Sequence, residues 1–293
     1  MANGVGVPIP RQRLLETHEV ALTALGIGTM LSLVVAAHGL NSVFLEVIVA
    51  LSLYASVTFA CRSRTDSLNQ RIRLLASYAF VVWFYCAVAR ITPALGTVLR
   101  DRPLLAIDEA MFGHTPAIFC ERTATPRLTD IMSLCYMTYH VYLPIAVAHA
   151  VLRLNTASRR LSAYLFTGFA IGFAGYLLVP AIGPALAYPE LFRDPLEGGT
   201  PARLIAKVVT AGSSRYDTFP SLHVLITCIL LDHDWREVRR RFWIMVAPAL
   251  GLVVSTIYLR YHYGVDVIVA FLLFLALRRT FLKATAREVG LSD

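Results

Sequence analysis

Two short segments carry the residue types that nucleophilic and acid–base chemistry needs. One is FPSLH, residues 219–223, with Ser221 and His223; the other is RYHYGVD, residues 260–266, with Arg260, His262 and Asp266. His262 and Asp266 are four apart, a spacing that puts both on one face of a helix. A carboxylate so placed holds one ring nitrogen, fixes the tautomer and leaves the other nitrogen as a nucleophile. His223, on a second helix, can protonate a leaving oxygen. Pro220 suits a first helical turn and Thr218 can cap it, which puts Ser221 and His223 in that turn. Two helix N-termini, each rich in free N–H groups, would then meet the Ser221 hydroxyl and the Arg260 fork at one point. That constellation fits a phosphoryl group: one histidine attacks phosphorus and the other serves as the acid.

Each residue alone has a plainer reading. His262 and Asp266 can form a structural ion pair, and Ser221 can be a cap. Arg215 can be a solvated loop charge. His140, in CYMTYHVYLP, reads as a buried polar residue that supports its neighbours by hydrogen bonding. Tyr258, Tyr261 and Tyr263 read as an aromatic belt at a membrane interface. It is the pairing of the two segments that favours chemistry.

The elements that must position these residues lie in a very apolar chain. Of 293 residues 57% are hydrophobic, and the mean hydropathy is +0.61. A bilayer core of about 30 Å takes roughly 20 apolar residues as a helix. The stretches 19–37, 41–61, 74–99, 128–152, 162–183 and 242–259 meet that length; 220–231 and 264–282 are shorter. The expected fold is therefore an all-α integral membrane protein of about eight transmembrane helices. Long runs without alternation exclude a barrel. Twelve residues after Pro220 rise only about 18 Å, so that helix must continue through HDWREV or have its outer end sunk below the surface.

The net charge of +8 does not point to nucleic acid, because the basic residues fall in clusters between the spans. These are Arg11 and Arg13; Arg62, Arg64, Arg71 and Arg73; Arg153, Arg159 and Arg160; Arg236 and Arg239–Arg241; and Arg278, Arg279, Lys283 and Arg287. With eight spans all of them share one side, which the positive-inside rule makes cytoplasmic, with both termini. The first apolar run reads as a retained anchor. FPSLH and RYHYGVD then open on the other side, the periplasmic face of a bacterial inner membrane. Two long loops lie there: 100–127, whose LLAIDEAMFG predicts an interfacial helix ended by Gly113, and 184–219, amphipathic at 201–210. Five scattered cysteines show neither a metal spacing nor a disulfide framework, and no acidic cluster suits Mg²⁺. No metal and no cofactor are expected.

These motifs resemble the type 2 phosphatidic acid phosphatase superfamily. Its PSGH motif is similar to Pro220-Ser221-Leu222-His223, and its SRxxxxxHxxxD motif to Ser255, His262 and Asp266 at matching spacing. PSLH, STIYLRYHYGVDV, DEAMFGHTP and LTDIMSLCYMTYHVYLP most resemble the inositol phosphorylceramide synthase branch and its bacterial relatives; together they cover most of residues 105–270. The resemblance implies His262 as nucleophile, Asp266 as its orienter, His223 as general acid and Ser221 as a phosphate ligand. It also implies metal-independent chemistry and a six-helix core at 74–293, preceded by an accessory hairpin and cytoplasmic loop at 1–73. Two departures concern the cations. Thr256 stands where the motif has arginine, and the KxxxxxxRP motif is absent, Lys207 and Arg215 being one residue too far apart. Arg260 and Arg215 are the candidate phosphate clamps, with Arg90, an unpaired charge inside the third span, in reserve.

The substrate class so implied is a lipid phosphate. Hydrolysis and transfer to a lipid alcohol differ only in what attacks the phosphoenzyme, and the sequence leaves both open. The alternative is a lipid or headgroup transporter using the same polar pocket, but the related broken helices that such folds carry in two halves are not evident.

Overall fold

The computed structural model describes residues 15–36, 41–62 and 66–288, with side chains through 281. Among the described residues all regular structure is helical. Of the residues singled out above, Arg11, Arg13 and Arg64 lie outside the described residues, and Lys283 and Arg287 are described only as helix.

Among the described residues six helices are long and apolar enough to cross a membrane: α1 (Thr17–Ala36), α2 (Ser42–Ala60), α3 (Ser67–Ala94), α6 (Pro126–Arg153), α7 (Thr156–Leu178) and α11 (Arg239–Tyr258). Between α3 and α6 lie α4 (Asp101–Phe112) and α5 (Pro116–Glu121); after α7 come a single turn, α8 (Pro184–Ala187), and the amphipathic α9 (Thr200–Gly212). The last pair, α10 (Leu222–Glu237) and α12 (Gly264–Glu288), flank α11. Several starts are set locally by loop side chains that accept a first-turn N–H: Asn41 from Phe44, Asp66 from Asn69, Thr125 from Leu128 and Asn155 from Ser158. α4 ends at Gly113 in the left-handed region (φ 81°), as LLAIDEAMFG predicts.

α7 is the central helix. In its most apolar stretch 61% is buried within the protein, against 28% for α1, and it packs on α1, α3, α6, α10 and α12. α1 and α2 sit at the margin, and residues such as Leu31 and Val35 point outward. Apolar side chains on the outer face are what a lipid solvent tolerates.

α10 continues through HDWREV to Glu237, so its 16 residues rise about 24 Å. Its polar end is accommodated by partners. The fully buried Asp234 accepts hydrogen bonds from the Tyr142 hydroxyl at 2.7 Å and Arg241 Nε at 2.6 Å. α7 receives the other end of α10 through glycines. A Cβ on Gly172 would lie 2.2 Å from Leu222, and one on Gly175 would lie 2.2 Å from Pro220. Only hydrogen at those positions lets the start of α10 lie against the central helix.

Candidate active site

The two segments meet. The His223 and His262 ring centroids are 6.0 Å apart, with the planes steeply inclined. Ser221, fully buried, donates its backbone N–H to the Asp266 carbonyl at 3.4 Å and so ties the start of α10 to the start of α12. His262 Nδ1 lies 3.4 Å from Asp266 Oδ2, and both side chains are buried.

The local geometry differs from a simple helical pairing. α12 begins at Gly264, so His262 stands two residues ahead of it, and the His262–Asp266 contact joins a loop to a helix. Two features place the boundary there. The Thr256 carbonyl accepts N–H bonds from both Tyr261 and His262, each at 3.1 Å, which ends α11 in a tight turn. Asp266 Oδ2 then accepts the Tyr263 N–H at 2.8 Å, the backward bond by which a third-position side chain closes a helix start. Thr256 thus works through its main chain where the motif has arginine, and its hydroxyl bonds back to Val253. The hydroxyl of Ser255 likewise bonds back, to Leu252. α10 also begins later than its proline suggests: Pro220 precedes the helix, and Ser221 holds the N-cap position with no side-chain cap bond. Packing of Pro220 on Gly175 fixes the chain there.

Of the thirteen buried side-chain atoms without a hydrogen-bond partner among the described residues, five lie at this site. Ser221 Oγ, His223 Nδ1, Arg260 Nε, His262 Nδ1 and Asp266 Oδ1 are all buried with none among the described residues. Each such atom costs on the order of 1–3 kcal/mol, so their concentration in two short segments marks a place shaped for a polar group. Around His223 stand the rings of Tyr139 at 4.6 Å, Tyr136 at 4.7 Å and His140 at 6.1 Å. His140 stands beside His223 but is exposed and makes no side-chain hydrogen bond among the described residues, which corrects the buried supporting role expected from the sequence. A second polar pair lies just before FPSLH, where the Tyr85 hydroxyl donates to Asp217 at 2.6 Å.

The candidate cations differ in placement. Arg260 is buried, in a left-handed backbone conformation (φ 63°). Its Nη2 lies 3.0 Å from Glu121 Oε1, and its guanidinium stacks 4.1 Å over the Phe192 ring. Burial pulls this guanidinium down from the ordinary arginine value, and Glu121 pushes it back up. Arg215 is exposed on the loop between α9 and α10 (φ 67°), outside the buried cluster, and makes no ion pair among the described residues. Arg90 is not the unpaired charge its sequence position suggests. It is exposed on α3 and binds Glu46 of α2, with Nε 2.9 Å from Oε2. Spacing along the chain could not reveal a partner on the neighbouring helix.

Sequence reasoning missed three carboxylates. Glu121 holds Arg260 and also accepts the backbone N–H groups of Arg193 and Asp194. Asp101 and Asp108, two turns apart on α4, are buried and bonded to the segments around the site. Burial raises the Asp101 carboxyl above the usual range, against the opposing pull of its hydrogen bonds. For Asp108 the signal was the acidic face of LLAIDEAMFG, residues 104–113; Asp101 and Glu121 lie outside that segment.

A PA-phosphatase related-family protein of Dictyostelium discoideum is 22% identical; the match covers 75% of this chain and 47% of that relative, so the chain spans about half its length. No solved structure matches the chain. The sequence profile of the PAP2 superfamily matches residues 102–278, from α4 to α12. That range takes in both helix starts, the facing histidines, Glu121 and more than half of the 293 residues, and on that ground the chain belongs to the PAP2 superfamily.

Proposed function

We propose that this integral membrane protein is a lipid phosphate phosphatase or phosphotransferase that works through a phosphohistidine. The observation that carries the reading is the facing pair of histidines at 6.0 Å, bordered by buried polar atoms that lack partners. A gap of that size suits one phosphoryl group. Asp266 holds Nδ1 of His262 and leaves Nε2 to attack. As the N–P bond forms, the P–O bond to the lipid alcohol breaks, and His223 gives its proton to the departing oxygen. Ser221 and Arg260 hold the non-bridging oxygens, where charge develops. In the second half His223 takes a proton from the attacking hydroxyl and the N–P bond breaks. Water then gives inorganic phosphate, and a lipid alcohol gives a new ester. No metal or cofactor is needed in either half.

Resemblance to the inositol phosphorylceramide synthase branch favours transfer. In this reading α10 and α12 complete eight spans, with α1–α2 as an accessory hairpin ahead of the catalytic helices. The basic clusters face the cytoplasm, and the histidines open toward the outer leaflet of a bacterial inner membrane. The deciding experiment supplies a lipid phosphate, labelled on phosphorus, with and without a panel of lipid alcohols, and identifies the products. Labelled inorganic phosphate alone, with or without acceptors, means hydrolysis. A labelled ester that depends on the acceptor means transfer. Turnover of neither kind in reconstituted bilayers would reject the enzymatic reading.

A further inference from the structure

The structure assigns a positioning role to α4: its buried carboxylates Asp108 and Asp101 hold the frame in which His262 and Asp266 stand. This deepens the proposed reaction and rests on that reading. Asp108 is fully buried. Its Oδ2 accepts the Gly264 N–H at 2.8 Å, and its Oδ1 accepts the Val265 N–H at 2.9 Å. Those are the first two residues of α12. The Asp108 side chain therefore caps a helix that begins 156 positions further along the chain, taking donors that helix starts leave unpaired. The Thr115 hydroxyl, just past the end of α4, holds Asp108 from behind at 2.8 Å.

Asp101, seven residues earlier on α4, makes the second attachment. Its Oδ1 accepts the Gly183 N–H at 2.9 Å and the Tyr263 hydroxyl at 2.9 Å, and the carboxylate also accepts the Ile182 N–H. Tyr263 is fully buried and separates His262 from the start of α12. The turn at Gly183 is itself closed on the same segment: a Cβ there would lie 2.4 Å from the Tyr261 carbonyl oxygen, and φ is 83°. The five residues Tyr261–Val265 are thus fixed by two carboxylates of one helix and by the turn after α7.

No bond is made from α4 to either histidine ring among the described residues, so Asp108 and Asp101 are not catalytic residues. They act by orientation. The cost of losing them follows from geometry. Asp266 takes its place from the first turn of α12, and His262 from the turn before it. A shift of that start changes the Nδ1–Oδ2 separation, already long at 3.4 Å, and the direction in which Nε2 points. Misplacement of a reacting group by about 1 Å can cost about 10²-fold in rate.

The test uses the full-length protein in detergent micelles with a lipid phosphate, and three variants: Asp108→Ala, Asp108→Asn and Thr115→Val. Asparagine is a good cap with one acceptor oxygen, so a positioning role predicts a graded series. Asp108→Ala should lower kcat about 10²-fold, Asp108→Asn and Thr115→Val about two- to tenfold, all with KM changed less than about twofold. Thr115→Val leaves both backbone caps in place, so it reports even where Asp108→Ala fails to fold. A second readout does not depend on turnover: ¹⁵N NMR of histidine-labelled protein at one pH. The ring nitrogens of His262 should shift toward a mixed tautomer in the variants, in the same order as kcat. Normal kcat in the folded fraction of the variants, with only the melting temperature lowered, would reduce α4 to a structural element and overturn the proposal. A fall in kcat with unmoved His262 resonances would overturn it too, because the loss would then arise elsewhere. The His262→Ala variant separates the two levels. If it keeps wild-type turnover the catalytic reading fails, while the His262 resonances in the three variants still decide whether α4 positions that residue.

Discussion

Arg260 and Glu121 are locked together: Nη2 and Oε1 lie 3.0 Å apart, and each side chain is largely buried. The cation best placed to hold a phosphate thus already faces a carboxylate. Glu121 fixes the fork and also opposes any anion that approaches it. At 3.0 Å and low solvent exposure that opposition is not screened away.

Glu121→Gln keeps the shape and removes the charge. Inorganic phosphate should then inhibit more strongly, its inhibition constant falling about two- to tenfold, with kcat changed less than about threefold. Arg260→Lys loses the planar fork and the stacking on Phe192, and KM for lipid phosphate should rise about tenfold. Steady-state kinetics with phosphate as a competitor measures both; weaker inhibition in Glu121→Gln would show that orienting the fork outweighs repulsion.

The two histidines should respond differently to the leaving group. An alkoxide needs a proton as it leaves and an aryl oxide much less, and general acid catalysis is worth about 10²–10⁴-fold. His223→Ala should be crippled on the lipid and substantially rescued on a nitrophenyl phosphate ester. His262→Ala should fail on both, and Asp266→Asn should fall between, since the nucleophile survives without its fixed tautomer. The quantity to compare is the aryl-to-lipid rate ratio. A wild-type ratio in His223→Ala would remove it as the acid, and rescue of His262→Ala would reverse the roles.

Gly175 of α7 should be far less replaceable than Gly28 of the peripheral α1. In Gly175→Ala the new methyl meets Pro220, and overpacking of this kind costs about 1–3 kcal/mol. The displaced group directly precedes Ser221, so activity should fall along with the unfolding temperature. At Gly28 of α1 a Cβ meets nothing within 4 Å, and Gly28→Ala should stabilise by about 0.5–1 kcal/mol through helix propensity. Thermal unfolding of both variants in one detergent checks the contrast.

Sidedness is open to a direct check. Thr200 and Arg159 are exposed at α9 and at the start of α7. In a background without the five native cysteines, single cysteines at these positions should react with an impermeant thiol reagent from opposite sides of the membrane. Labelling from one side only would break the eight-span topology.

Turnover should survive EDTA unchanged. Loss of activity that one added divalent cation restores would make the phosphohistidine route incomplete.

Much of this site was legible because its signals are local. PSLH and HYGVD each hold a histidine with a serine or a carboxylate within a few residues, and the end of α4 is written in a single glycine. What could not be read depends on partners distant in the chain. Arg90 looked unpaired because Glu46 lies on another helix. His262 looked helical because its spacing to Asp266 is helical, yet α12 begins only at Gly264, whose N–H is held by Asp108, 156 positions earlier. The phosphate clamp was the hardest part: Arg215 precedes the motif in sequence but lies exposed, whereas Arg260 is buried against Glu121, a contact across 139 positions. Among the described residues six helices have the length and apolarity of a span; α10 does not, having only 16 residues and ending in charged groups held by α6 and α11.

The unpartnered hydroxyl of Ser221 sets fitness against durability. Ser221→Ala deletes a buried polar atom that no neighbour among the described residues satisfies and opens almost no space, so the folded protein should gain about 1 kcal/mol or more while losing, under the proposed reaction, a ligand for the phosphate. Selection for heat resistance alone, in a laboratory screen or by a sequence optimiser, would therefore drift toward a sturdier and inert protein.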